Sequence, residues 1–164
     1  MFSLVNVIPA IKEHFVTLKK DSSTFGIIVL FFILPLLISL LFLWQKITAS
    51  EKILNSLITS FAIFIGLIIN LLVLLIDRKK GKEGVKKQLI EHLSYNSIYE
   101  LVIGLIVLFI SIIFLAIQEK INSYLTYTLS FILFFLVFNF IITLLMIAKR
   151  FFVLFKNNFD EQNG

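Results

Sequence analysis

Ser60–Lys87 reads SFAIFIGLIINLLVLLIDRKKGKEGVKK. No charge occurs between Ile53 and Ile76, and then six Lys and Arg fall within the ten residues from Arg78 to Lys87. At about 1.5 Å per residue a helix of that uncharged length crosses the roughly 30 Å of hydrocarbon in a bilayer. The run is continuous and lacks in/out alternation, so it reads as a helix, which satisfies its own backbone hydrogen bonds in lipid, and not as a barrel strand. The basic cluster beyond it is a topology lock, because positively charged flanks resist translocation.

The rest of the chain repeats that pattern. Its 164 residues are 59% hydrophobic and include 19 Phe, with a mean hydropathy of +1.02, too much apolar surface for a soluble domain of this size. Four runs are long enough to span: Gly26–Trp44, Ile53–Ile76, Ile98–Ile117 and Thr126–Ala148. The first is expected to be retained, since no basic region precedes it as in a signal peptide and Pro9 interrupts the early apolar residues. Twelve of the fifteen Lys and Arg fall on one side of this layout, including Lys12, Lys19, Lys20, Lys149, Arg150 and Lys156, and only Lys46, Lys52 and Lys120 fall on the other. Both termini are therefore expected in the cytoplasm of a multi-pass inner-membrane protein. Trp44, Tyr124 and Tyr127 mark the outer boundary; Tyr95 and Tyr99 mark the inner one.

The expected fold is all-α: an integral membrane four-helix bundle with short amphipathic interfacial helices. Residues 1–25 form a cytoplasmic amphipathic helix, 26–76 a first transmembrane hairpin, 77–97 a basic loop and second amphipathic helix, 98–150 a second hairpin, and 151–164 a cytoplasmic tail. In the first amphipathic helix Ile8, Ile11, Phe15 and Leu18 recur at spacings of three and four after Pro9, with Lys12, Glu13, Lys19 and Lys20 on other faces. Val85, Leu89 and Leu93 repeat the pattern before a turn at Ser94–Ser97. Both helices are expected on the membrane surface or against a partner protein. A shift of 78 residues superposes Glu13-His14 on Glu91-His92 and Gly26 on Gly104, the outline of a duplicated half.

Polar residues inside the spans form stripes. Asn55, Thr59, Ala62, Gly66, Asn70 and Asp77 share one face of the second span. Asn96, Glu100, Gly104, Ser111 and Gln118 share one face of the third; Thr128, Asn139, Thr143 and Arg150 share one of the fourth. Such residues serve helix packing, where small side chains let backbones approach and Asn, Ser and Thr bond across the contact, or they line a water-filled path within one chain or around an oligomer axis. Glu100 is expected to pair with Lys149 or Arg150 rather than serve a proton relay, Asp77 to pair similarly, and Asn70 and Asn139 to bond each other within a chain or across a subunit contact. Arg78, Lys79, Lys80, Lys82, Lys86 and Lys87 form a basic surface for anionic lipid or a cytosolic protein.

No catalytic constellation emerges, so no enzyme and no cofactor are expected. Cysteine is absent, and His14 and His92 lack metal-ligand spacing. GKEGVKK lacks the spacing of a phosphate-binding loop, and no aromatic platform accompanies the basic run, so nucleic acid is not an expected partner.

With IKEHFVTLKKDSSTFGIIVLFFILPLLISLL at Ile11–Leu41 and FIGLIINLLVLLIDRKK at Phe64–Lys80, the layout resembles the small four-span proteins of bacterial anti-phage defence systems. That group includes membrane effectors of nucleotide-signalling systems and membrane subunits of two-gene systems such as Kiwa. The resemblance implies a homo-oligomer that senses or damages the inner membrane, as a pore or otherwise, with a cytosolic partner docked on the basic loop. A channel or transporter component and a non-conducting membrane adaptor are the alternatives.

Overall fold

The structure, a computed structural model, describes residues 8–21, 23–79 and 84–162. Every regular element among them is helical. Helix α1 runs Ile8–Asp21, α2 Thr24–Trp44, α3 Glu51–Lys79, α4 Gly84–Ile117 and α5 Ser123–Gln162. The last four are long and apolar enough to cross a membrane, which makes the chain a four-helix, multi-pass membrane protein.

Local chemistry explains where these helices stop. Ser23 caps α2 by accepting from the Gly26 N–H at 3.1 Å. At its far end the Lys46 N–H reaches the Leu43 carbonyl (2.8 Å) and the Ile47 N–H reaches the Phe42 carbonyl (2.9 Å), with Lys46 at φ 59° in the left-handed region. Asn122 opens α5 by accepting from the Leu125 N–H at 2.9 Å. Between α4 and its amphipathic lead-in no turn occurs: Ser94 and Ser97 donate to the carbonyls of Ile90 (2.8 Å) and Leu93 (2.9 Å), four residues back, and the helix runs straight through them. The expected break at Ser94–Ser97 is thus replaced by one 34-residue helix.

Helix α2 carries a π turn at Val29–Ile33, where the Leu34 N–H bonds back to the Val29 carbonyl. Pro35 is its cause. The ring offers no N–H to the Phe31 carbonyl and crowds it, and one turn of wider helix relieves the clash.

Consecutive helices are not always neighbours. Helix α2 packs on α5, α5 on α4, and α4 on α3, whereas α2 and α3 do not pack on each other. The first transmembrane pair is therefore a hairpin in connectivity but not in packing. Its connecting segment is held by the Ala49 N–H, which donates to Ser130 Oγ at 3.0 Å. This order also separates the two halves of the chain: α4 and α5 are in direct contact, while the segments that a duplication would equate with them are apart.

The main core fills the space among α3, α4 and α5 with Leu54, Phe61, Val107, Phe114, Leu133 and Phe140. Gly104 lets these helices approach closely. A Cβ there would lie 3.2 Å from the Phe140 ring and 3.5 Å from Ile65. Gly66 is different, because a Cβ there would meet nothing within 4 Å. Gly104→Leu is accordingly expected to lower the stability of the subunit by about 1–3 kcal/mol through overpacking, and Gly66→Leu to leave it unchanged. Thermal melts of the two variants in one detergent make the comparison, and equal melting temperatures would remove the close-approach role of Gly104.

Helix α1 does not simply lie on a surface. It docks on α4 and on the start of α2, and the face it buries carries His14, Thr17 and Leu18, while Ile8 remains 69% exposed. The buried face is rotated from the one that the spacing of Ile8, Ile11, Phe15 and Leu18 predicts. Two of its three buried members are polar, so a search for apolar periodicity passes over them.

Candidate functional site: a buried polar core and an exposed polar stripe

Polar residues of the bundle divide into two sets that face opposite ways. The first is interior. His14 and Thr17 from α1, Asn96, Ser97, Tyr99 and Glu100 from α4, and Asn139, Thr143 and Arg150 from α5 are all buried. His14 hydrogen-bonds through Nδ1 to Asn96 Oδ1 at 2.9 Å, and its ring stacks on Tyr99 with centroids 3.9 Å apart and planes within 5°. The Thr17 hydroxyl donates to the His14 carbonyl at 2.7 Å and lies 3.3 Å from Asn96 Oδ1. Burial holds the His14 imidazole down at about 4; the bond to Asn96 opposes that shift, and the Arg150 charge adds to it.

Tyr99 carries the network into the membrane. Its hydroxyl donates to Asn139 Oδ1 at 3.0 Å, and Asn139 Nδ2 donates to the Phe31 carbonyl at 2.8 Å. That carbonyl is the one Pro35 leaves without its usual α-helical donor. One asparagine side chain thus ties α2, α4 and α5 together at a backbone defect. Thr143 donates to the Asn139 carbonyl at 3.0 Å, and Ser39 to the Pro35 carbonyl at 2.7 Å.

Glu100 lies beside Thr143 in this interior, and neither of its carboxyl oxygens has a hydrogen-bond partner among the described residues. The expected bridge to Lys149 or Arg150 is not formed: Lys149 is exposed, and the Arg150 charge bears on His14. His14 Nε2, Asn96 Nδ2 and Ser111 Oγ are likewise buried without a partner. Unmatched buried polar atoms cost about 1–3 kcal/mol each, so the interior of the bundle carries a reserve of unused hydrogen-bonding capacity.

The second set is exterior. Asn55, Thr59, Gly66, Asn70 and Asp77 all lie on the exposed face of α3. Only 11% of the most apolar part of α3 is buried, against 33% for α5, because α3 stands at the edge of the bundle with α4 as its main support. The Thr59 hydroxyl donates to the Asn55 carbonyl at 3.0 Å and that of Ser56 to the Lys52 carbonyl at 2.9 Å, which satisfies both hydroxyls within the helix. Asn70 does not meet Asn139, which is engaged by Tyr99 and Phe31 in the interior.

Periodicity therefore groups the members of each stripe, and the structure sorts the stripes into inward and outward. Glu100, Gly104, Ser111, Asn139 and Thr143 face in; Asn55, Thr59, Gly66 and Asn70 face out. A path through a single chain, with all three stripes converging, is not formed, since packed aromatic and aliphatic side chains occupy the middle. His14, Thr17 and Tyr99 were not singled out as site residues by sequence; Tyr99 reads there as a boundary aromatic. Of the basic cluster, Lys87 is exposed, whereas the side chains of Arg78, Lys79, Lys80, Lys82 and Lys86 lie outside the described residues. No family model, no curated protein and no solved structure matches this chain.

Proposed function

We propose that the chain is a non-enzymatic inner-membrane protein of bacterial anti-phage defence, an effector or sensor of membrane integrity that works as a homo-oligomer with a cytosolic partner, both termini being cytoplasmic. The observation that carries the oligomer is the outward stripe on α3. From Asn55 to Asn70 it extends about 22 Å at 1.5 Å per residue, most of the thickness of the hydrocarbon. An amide turned toward acyl chains has no hydrogen-bond partner there, whereas a second copy offers the same amide in return. Such interhelical bonds contribute about 0.6–2 kcal/mol each, small singly but repeated at every subunit contact. Around a closed symmetry axis the same stripe would line a path, which favours a channel-like action as the second reading.

Asn70→Leu is the direct test, because Asn70 is exposed and has no hydrogen-bond partner among the described residues. Cross-linking in membranes is expected to show association weakened by about 3- to 30-fold for each lost contact, together with loss of dye entry and of depolarisation on overexpression. Undiminished cross-linking would remove the α3 interface. Undiminished association with equal permeability in wild type and variant would remove the path as well.

A further inference from the structure

A groove of about 440 Å³ opens toward the membrane between α2 and α5, at the end of the bundle where α1 docks. Ile27 and Phe31 of α2 and Leu18 of α1 are its buried floor; Leu30, Leu34 and Leu145 are its exposed rims. Gly26 and Lys149 lie at one end, since α2 begins and the spanning part of α5 finishes on the same side. The opposite end closes about two turns away, near Leu34 and Ile142.

We propose that this groove is a binding site for an anionic phospholipid, drawn from the leaflet nearest the chain termini, with one acyl chain along the apolar walls and the phosphate on the Lys149 ammonium. The walls lie inside membrane-spanning segments, where hydrocarbon is the surrounding medium. Among the described residues, the only charged group in the lining is the cation at the mouth. Two further features at that mouth suit a phosphate. The Ser23-capped N-terminus of α2 points its positive end there, and Gly26 places no side chain in the way of a head group. Exposed Lys19, next to Leu18 on α1, adds positive charge to the same end of the molecule. The size lies within the range of about 300–1,000 Å³ typical of small-ligand sites. Two turns, about 11 Å, are too short for a partner helix, which makes contact along about 30 Å of membrane.

The full-length protein in detergent micelles is titrated with phosphatidylglycerol, and separately with phosphatidylcholine of identical acyl chains, and read by native mass spectrometry. One phosphatidylglycerol per subunit is expected to be retained in preference to phosphatidylcholine. Lys149→Gln is expected to lower that preference by about five-fold, the equivalent of about 1 kcal/mol for one Lys near a membrane surface. The residue is exposed, so its replacement leaves the bundle intact. Gly26→Leu, where a Cβ meets only Ser23 Oγ at an ordinary 3.4 Å, is expected to obstruct the groove and abolish retention of both lipids. Equal retention of the two lipids by wild type, or an unchanged preference in Lys149→Gln, would overturn the proposal. So would a Leu145→Cys disulfide between two copies in membranes, which would assign the groove to a second chain.

Discussion

Asn139→Leu is expected to destabilise the subunit by about 2–4 kcal/mol, the sum of two interior groups that lose their partner at about 1–3 kcal/mol each, reduced by the weaker return of polar contacts in lipid. One of those groups is the Tyr99 hydroxyl, the other the Phe31 carbonyl. Neither has access to water at that position, and the carbonyl cannot revert to a normal helical bond because Pro35 has no N–H to offer. Asn70→Leu supplies the control: the same substitution on the exposed face of α3 is expected to leave the thermal melt of the isolated subunit within about 0.5 kcal/mol of wild type. Tyr99→Phe should fall between them. An Asn139→Leu melt indistinguishable from that of Asn70→Leu would mean that the tie across α2, α4 and α5 contributes nothing.

Acid is expected to loosen α1. With its imidazole free in water His14 titrates near 6.5, and docked between Asn96 and Tyr99 it is held at about 4. The docked form therefore disfavours the proton. Above about pH 6.5 the ring is neutral in both forms and docking is at full strength. As pH falls toward about 4, the released helix takes up a proton that the docked helix refuses, and docking weakens by about 1.4 kcal/mol per pH unit, to a total of about 3 kcal/mol. Below that window both forms are protonated and the loss levels off. The Arg150 charge adds to the bias of the docked ring against the proton. Glu100 also neighbours Tyr99, and Glu100→Gln isolates the share that belongs to His14. Hydrogen exchange of the amides from Ile11 to Leu18, corrected for the intrinsic pH dependence of exchange, reads the effect. Protection that stays level between pH 7 and pH 4, or that falls equally in His14→Gln, would refute it.

The spans are legible because lipid demands long uncharged runs, and each of the four runs became a helix. Their inward stripes on α4 and α5 are legible for a related reason: a buried helix face in a membrane protein gathers its Gly, Asn, Ser and Thr. The direction of the α3 stripe is not. Spacing says that Asn55, Thr59, Gly66 and Asn70 share a face, but what that face meets depends on which helix stands beside α3, and nothing in its own residues names α4. His14 escaped for a different reason. On α1 the apolar rhythm and the docked face diverge, because the surface receiving α1 offers Asn96 and the Tyr99 ring as well as hydrocarbon. The extra length of α4 escaped because Ser94 and Ser97 suggest a turn in a soluble context but bond back to their own helix here.

The neighbour order α2, α5, α4, α3 bears on how the protein is made. A ribosome releases α2 and α3 first, and the pair that leaves together has no mutual seam to close. Each finds its spanning neighbour only in the later half, which lies between them, α5 beside α2 and α4 beside α3. In the finished bundle the younger hairpin thus fills the space between the two older spans, and the carbonyl of Phe31 has no Asn139 amide to meet until the last span is in place.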